Sequence, residues 1–462
     1  MDRNGSSSLT HLEGYTNELT TSVKVLSDQL RDAGLQGRSS GSHTPPTGSA
    51  AHLAISPDAP YEVQKARRDV LTNIRRLQRL LMGPDDLIQT LASQTQLLAC
   101  LRWLAEFQVL ACIPLNDTVP TKDIADLTGV PETELSRIVR MTSTVGFLAE
   151  PREGYITHTA LSAPYVTELN YLDAATFLAE IAVPASLQMA AATTAQVQKD
   201  DKTGEGSSSA YTLAFNTGNL SFQSACQQRS KLQRQWPAFL RCLGDRDDSV
   251  AEVLSRLDWL TLGSACVVDL CAQSTEAATV LADQFSALQF VVQLPVPPDG
   301  TENGSSTGTH GGRISVQRRV PGSLQTVKDA AVYMLRTPSP PYSYSLGSSP
   351  DDGHRHLAEH ILAELRAHLG VLRANAAVTT FVLALRPLPE PGSVGIDVET
   401  TACVRDLSKM QLTNERDMRV GEVVQLVDSV QDGVGRLVVV NKLLSPNSAT
   451  VAFVVKYHFD SS

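Results

Sequence analysis

The stretch Ala265-Cys266-Val267-Val268-Asp269-Leu270-Cys271-Ala272-Gln273-Ser274-Thr275 decides the fold. Ala265 to Leu270 is a short apolar run ending in an acid and a turn, the pattern of a strand buried on both faces. Glu276 to Phe285 then shows helical apolar spacing, and Phe290-Val291-Val292 is a second buried strand. Strand, helix, strand in that order is a crossover, which makes the two strands parallel. The pattern continues with strands at Ala330–Leu335, Val378–Leu385, Val438–Val440 and Val451–Val455, a helix at Leu357–Leu372 and a mostly helical stretch at Leu407–Asp428. Residues 246–462 are expected to form an α/β domain with a doubly wound, Rossmann-like sheet covered on both faces. Two low-complexity loops, Pro297–Gly312 and Thr337–Gly353, interrupt it.

Upstream, residues 61–245 read as a helical domain. Val63, Val70, Ile74, Leu77, Leu80 and Leu81 form one apolar stripe, with Arg67, Arg68, Arg75, Arg76 and Arg79 mostly elsewhere, and Gly83-Pro84 ends the helix. Asp85–Leu110 is a second helix. Thr121 caps a helix containing Ile124 and Leu127, Gly129 turns the chain, and Pro131 opens a helix with Leu135, Ile138 and Val139. Gly146-Phe147-Leu148 and Tyr155-Ile156 follow as a short β-wing, so Val119–Leu161 reads as a winged helix-turn-helix. Residues 165–245 are helical apart from a polar insert, Lys199–Ser209, whose glycines lack the GxxxxGK[ST] spacing of a phosphate loop. Residues 1–60 read as a flexible tail rich in Ser, Gly and Pro. Leu19, Val23, Leu26 and Leu30 make at most a marginal helix there, docked on a neighbour.

The 462 residues carry a net charge of −10, with 42% apolar and 19% charged residues. That composition belongs to a globular chain of two or three domains and argues against binding nucleic acid or an anionic membrane through bulk charge. No uninterrupted apolar run approaches bilayer length, and the start of the chain lacks the apolar region of a signal peptide. Seven cysteines with no CxxC pair point to a reducing compartment, with neither a disulfide framework nor structural zinc.

Several segments together resemble fungal S-adenosylmethionine-dependent O-methyltransferases from about Leu26 to His458. They are Met82–Gln94 (MGPDDLIQTLASQ), Lys122–Leu148, Tyr155–Ser162 (YITHTALS), Val267–Pro295 and Asp406–Arg419 (DLSKMQLTNERDMR). Within that superfamily the chain most resembles the methyltransferase-like transcriptional coactivators of aflatoxin-type polyketide gene clusters. This resemblance implies a non-catalytic protein that works with a binuclear-zinc-cluster transcription factor in the nucleus, with the cytoplasm as a second location.

The resemblance also implies where a cofactor site would lie. The family pattern is an acid at the end of the first strand, a Gly-rich turn, and a second acid at the end of the next strand. Here Asp269 holds the first acidic position, but the turn is Cys271, Ala272, Gln273, Ser274 and Thr275, without glycine, and Gln293 is followed by Leu294. A missing ribose carboxylate forfeits about 1.5–3 kcal/mol. With a similar steric cost at the turn, affinity falls roughly 10²- to 10⁴-fold. No cofactor is therefore expected, and Asp269 is read as an acid kept to bond backbone N–H groups. The family's catalytic base falls near Asp351, and the nearest histidine is His354. His354 is a base only under the alternative reading, an active O-methyltransferase acting on a phenolic polyketide.

Other chemistry-bearing residues receive plainer readings. His356 and His360 stand four apart on a helix, a metal-compatible spacing, but without HExxH they read as solvated histidines, and no metal is expected. Cys271 reads as a small buried thiol. Arg137 and Arg140 lie on the candidate recognition helix beside Glu132 and Glu134; that mixture favours a homo- or heterodimer interface over direct DNA contact. Lys65–Arg68 with the following arginines reads as a solvated helix face, although such a run also suits a nuclear address. The Ser/Pro loop from Thr337 to Pro341 is accessible to modification or partner domains. A third possibility is a structural partner that regulates another enzyme through the winged-helix half.

Overall fold

The computed structural model describes residues 3–34, 55, 59–198, 209–218, 220–243, 253–254, 257, 259–272, 274–296, 312–336, 353–445 and 449–460. Almost all of the polar insert and of both low-complexity loops lies outside these residues. The chain divides into two compact units, Met1–Val183 with Arg234–Phe239, and Pro184–Gln233 with Leu240–Ser462. The division thus differs from the one expected at residue 245. Residues 184–233 group with the sheet because their helices pack on a helix of that unit, Ile396–Thr413, and Gln223 Nε2 donates to Glu415 at 3.4 Å.

In the first unit, helix α1, Arg3–Asp32, occupies the first half of the stretch expected to be a tail at residues 1–60. It pairs with α2, Tyr61–Leu81, where Leu26 meets Val63 and Ala66. Leu12, Tyr15, Leu19, Ser22 and Leu26 recur at three- and four-residue spacing, which a composition rich in serine and threonine obscures. The buried Asn73 Nδ2 donates to Ser22 Oγ at 3.3 Å, and Arg76 pairs with Glu18 at 3.0 Å. Helix α3 is Pro84–Glu106. Strand β1, Val119–Pro120, leads into α4, Thr121–Thr128, so Thr121 is the first helical residue and not its cap. Gly129 has φ 69° and N–H bonded to Ala125 O, a left-handed helix end that a Cβ would strain. Helix α5, Glu132–Ser143, precedes β2, Leu148–Ala149, and β3, Tyr155–His158. The three strands pair antiparallel in the order β1-β3-β2 over a core of Ile124, Leu135, Val139, Phe147, Leu148 and Ile156. His158 anchors this sheet, with Nδ1 at 2.9 Å from Ser162 Oγ and Nε2 at 3.0 Å from Leu110 O.

One helical run among the described residues, Leu169–Val197, is long and apolar enough to cross a membrane by length and composition alone. Asp173 and Glu180 interrupt it, so it contains no uninterrupted apolar run of that length. The buried Asp173 is bonded by Arg234 Nε at 2.6 Å, and Phe177 packs on Trp236 and Phe239.

The second unit is built on a seven-stranded sheet of order β6-β5-β4-β7-β8-β10-β9. Its strands are β4 (Cys266–Leu270), β5 (Gln289–Pro295), β6 (Ile314–Arg319), β7 (Val332–Arg336), β8 (Thr380–Leu385), β9 (Gly435–Leu444) and β10 (Val451–Phe459). Strands β4 to β8 are parallel, and β10 joins β8 and β9 antiparallel. Helix α6, Glu276–Gln284, joins β4 to β5, and α7, Gly353–Ala374, lies between β7 and β8. Strand β6 went unread in the sequence because ISVQRR is polar, as befits an edge strand. The helix read across 407–428 is two, α8 (Ile396–Thr413) and α9 (Val420–Asp428), broken where Asn414 turns left-handed at φ 57°. Val268, Leu270, Tyr333, Leu335, Phe381 and Leu383 face one apolar layer with α7 and α9. The alternate residues Val267, Val332, Met334 and Val382 face the other with α6 and Trp259. Two-faced burial makes these strands continuous apolar runs, which is why they were legible.

Candidate functional site

A doubly wound sheet opens a crevice at the carboxyl ends of its strands where the strand order reverses. Here it reverses between β4 and β7. Asp269, fully buried near the end of β4, meets Arg336, the last residue of β7. Arg336 Nη2 donates to Oδ2 at 2.8 Å and Nε to Oδ1 at 3.2 Å. Burial pushes the Asp269 carboxyl up, and the guanidinium pulls it back. The acid expected to bond backbone N–H groups therefore has a cation for a partner, and the pair bridges the switch point.

Cys271 follows β4 with φ 50°, in the left-handed region where a Cβ is strained. The turn keeps a conformation that suits glycine and places a buried cysteine in it. Ala272 is buried as well, and its N–H donates to Gln293 O at 3.0 Å, so this amide is engaged within the sheet. Gln273 lies outside the described residues. Thr275 occupies the N-cap position of α6 without a side-chain cap bond, and Leu294 is half-buried on β5.

Behind the turn, α7 carries His360, Glu364 and His368 at four-residue intervals, all fully buried. This corrects the reading of His360 as solvated: its neighbours Ile361 and Leu365 anchor the same helix face to the core. Glu364 accepts from Arg319 Nη1 at 2.8 Å and from Gly322 N at 2.6 Å, and the Cys271 thiol donates to it at 3.5 Å. Arg319 also bonds the Ser323 carbonyl. His368 Nδ1 lies 2.6 Å from Glu364 O and Nε2 lies 2.9 Å from Gln325 Nε2. Gln325 exchanges reciprocal bonds with Gln293 at 2.9 and 3.1 Å. Burial holds both histidines down at about 4, so they are neutral near pH 7. Burial and the Glu364 charge push the Cys271 thiol up.

Cys271, His360 and Glu364 offer ligand atoms within 4.8 Å of one another, a donor set suited to zinc. The Glu364 charge is already balanced by Arg319, and a thiol held protonated is a poor ligand and nucleophile. The trio therefore forms one end of a buried polar chain running to Gln293. Sequence reasoning missed Arg319, Arg336, Gln325, Glu364 and His368. The four-residue spacing of His360, Glu364 and His368 was visible. The two arginines carried no signal, because strand order chooses their partners.

His354 is the second residue of α7, and its side chain, like that of His356, lies outside the described ones; so does Asp351. In the first unit, Arg137, Arg140, Glu132 and Glu134 are all exposed on α5.

Residues 9–82 match the family described as the trypacidin cluster transcriptional coactivator tpcD N-terminal domain. The monodictyphenone cluster transcriptional coactivator mdpA of Emericella nidulans is 42% identical over 98% of this chain and 98% of its own length. The trypacidin cluster transcriptional coactivator tpcD of Aspergillus fumigatus is 41% identical over 98% of this chain and 99% of its own. Among solved structures, OxaC superimposes with a TM-score of 0.59 at 16% identity, covering 98% of this chain and 100% of its own. The mitomycin 7-O-methyltransferase MmcR gives 0.54 at 17%, covering 81% and 98%. At such identities the likeness is one of fold, and that fold is O-methyltransferase-like. The chain belongs to the family of secondary-metabolite-cluster transcriptional coactivators.

Proposed function

We propose that this coactivator is non-catalytic and supports transcription of a polyketide gene cluster by engaging a binuclear-zinc-cluster transcription factor in the nucleus. The observation that carries the non-catalytic reading is the closed β4 turn. Asp269 is held by Arg336, Cys271 puts a Cβ where glycine conformation is required, and the Ala272 amide is bonded to Gln293. Leu294 offers no carboxylate to ribose hydroxyls. These residues do not fit S-adenosylmethionine. The neutral, buried His360 and His368 are also poorly placed as general bases for a substrate hydroxyl.

The helix-turn-helix and antiparallel strands of the first unit are read as a winged helix that makes a homo- or heterodimer and does not contact DNA directly. Helix α5 carries two exposed acids in its first turn, Glu132 and Glu134, beside the exposed Arg137 and Arg140, a mixture that suits a protein surface better than a phosphate backbone. Calorimetric titration of the full chain with S-adenosylmethionine and S-adenosylhomocysteine tests the central reading. Absence of heat and of thermal shift at millimolar cofactor is expected. Micromolar binding of either would restore the active O-methyltransferase.

A further inference from the structure

Helix α2 carries two apolar seams, and only one of them is covered among the described residues. Val63, Ala66, Val70, Asn73, Leu77 and Leu80 recur at intervals of three and four. Val63, Ala66 and Val70 pack with Leu26 and Leu30 of α1, and Asn73 bonds Ser22. A second series, Arg67, Leu71, Ile74, Gln78 and Leu81, recurs at four, three, four and three, the same 3.5-residue period. It points away from α1: Leu71 is 37% exposed, Ile74 45% and Leu81 67%. The single stripe expected from the sequence is therefore split, with Ile74 and Leu81 on the uncovered side. A heptad seam that stays in solvent is a helix interface without its partner helix.

The charge beside this seam selects the partner. Arg67 opens it, and Arg75 and Arg79 flank it. All three are exposed and, among the described residues, make no ion pair. A second copy in parallel register would set each arginine against its own equivalent, and like charges across a helix pair are destabilising. Phosphate ligands would use the arginines and leave Leu71, Ile74 and Leu81 in water. An acidic amphipathic helix satisfies both halves of the pattern, with its apolar positions on the seam and its carboxylates on the arginines. We infer that the outer face of α2 is the docking surface for an acidic, heptad-patterned helix of a partner protein. The surface lies wholly within the α1–α2 pair and is independent of whether the β4 turn binds a cofactor.

The test is fluorescence anisotropy with the full chain and a labelled synthetic peptide of three heptads, with leucine at the seam positions and glutamate beside them. Its own carboxylates oppose its self-association. The expected result is saturable binding at low salt, weakened roughly tenfold in R75E/R79E and about a hundredfold in L71A/I74A. The variants change exposed residues, and circular dichroism checks that they fold. A second peptide with lysine in place of glutamate should bind R75E/R79E and not the parent chain. The inference is overturned if the glutamate peptide fails to bind at about 100 μM, or if the lysine peptide binds the parent equally well. It is also overturned if the chain alone sediments as a dimer that L71A/I74A dissolves, since the face then belongs to a second copy. Capture of duplex DNA or phosphatidylserine vesicles without peptide binding, lost in R75E/R79E and unchanged in L71A/I74A, would assign the arginines to phosphate instead.

Discussion

Arg336 holds both carboxylate oxygens of Asp269, at 2.8 and 3.2 Å, and so ties the carboxyl end of β7 to that of β4. The pair occupies the place where the strand order reverses. Where such a sheet usually opens a ligand crevice, this one places a charge pair of its own.

Removing the cation leaves a fully buried carboxylate uncompensated. Arg336→Leu is expected to cost about 3–5 kcal/mol near neutral pH. Because burial alone pushes the Asp269 carboxyl up, the deficit should shrink as pH falls and the acid protonates. Asp269→Asn in the same chain should recover part of the loss. Urea denaturation of the three chains at two pH values measures this, and an R336L chain as stable as the parent would remove the pair from the account.

Acid should destabilise the second unit through His360 and His368. Both hold a proton only below about 4 in the folded state, whereas an unfolded histidine titrates near 6.5. The folded-state values are depressed, so the unfolded chain binds more protons below pH 6.5. Stability is complete above that pH and falls as pH drops towards 4, by about 3 kcal/mol per histidine at most. His360→Leu should remove roughly half of that slope. A parent chain with flat stability over this window would contradict the burial of both rings.

The left-handed turn at Cys271 predicts an inversion of the usual order of substituents. Alanine is normally the more stabilising residue relative to glycine. At φ 50°, Cys271→Gly should be more stable than Cys271→Ala by about 1 kcal/mol. Both variants lose the thiol, so their difference in thermal midpoint isolates the backbone. Neither should gain cofactor affinity while Arg336 keeps Asp269.

Gly435 begins β9 opposite Phe459. A Cβ there would sit inside contact distance of the His458 carbonyl oxygen, 2.8 Å from Tyr457 Oη and 2.9 Å from Phe459 Cα. The first and last obstacles are backbone and cannot rotate away. Gly435→Ala should therefore destabilise by more than about 1 kcal/mol and fray the β9–β10 edge. Native-state hydrogen exchange of the β10 amides reads this, and unchanged protection would show that the strands accommodate the Cβ without separating.

The helices, the parallel strands and the two apolar faces were legible because burial on both sides writes continuous apolar runs into β4, β5, β7 and β8. Strand β6 was not legible, since an edge strand needs no apolar run. Helix α1 was obscured because its seam includes Ser22 and Tyr15 and its surface is mostly polar. The cofactor turn could be recognised as lacking glycine from Cys271 to Thr275. Its positive φ, however, is a property of the chain path after β4, which residue identities alone do not reveal.

By itself the sequence determined which strands of the sheet are buried on both faces, because hydrophobic spacing is local, and which family the chain resembles. Only the tertiary structure decided what the charged residues do. Arg336 and Asp269 are 67 residues apart and Arg319 and Glu364 are 45 apart, so their pairing follows from the order of strands and not from sequence distance. The same holds for α2, whose one apolar stripe became two seams only when α1 took a side.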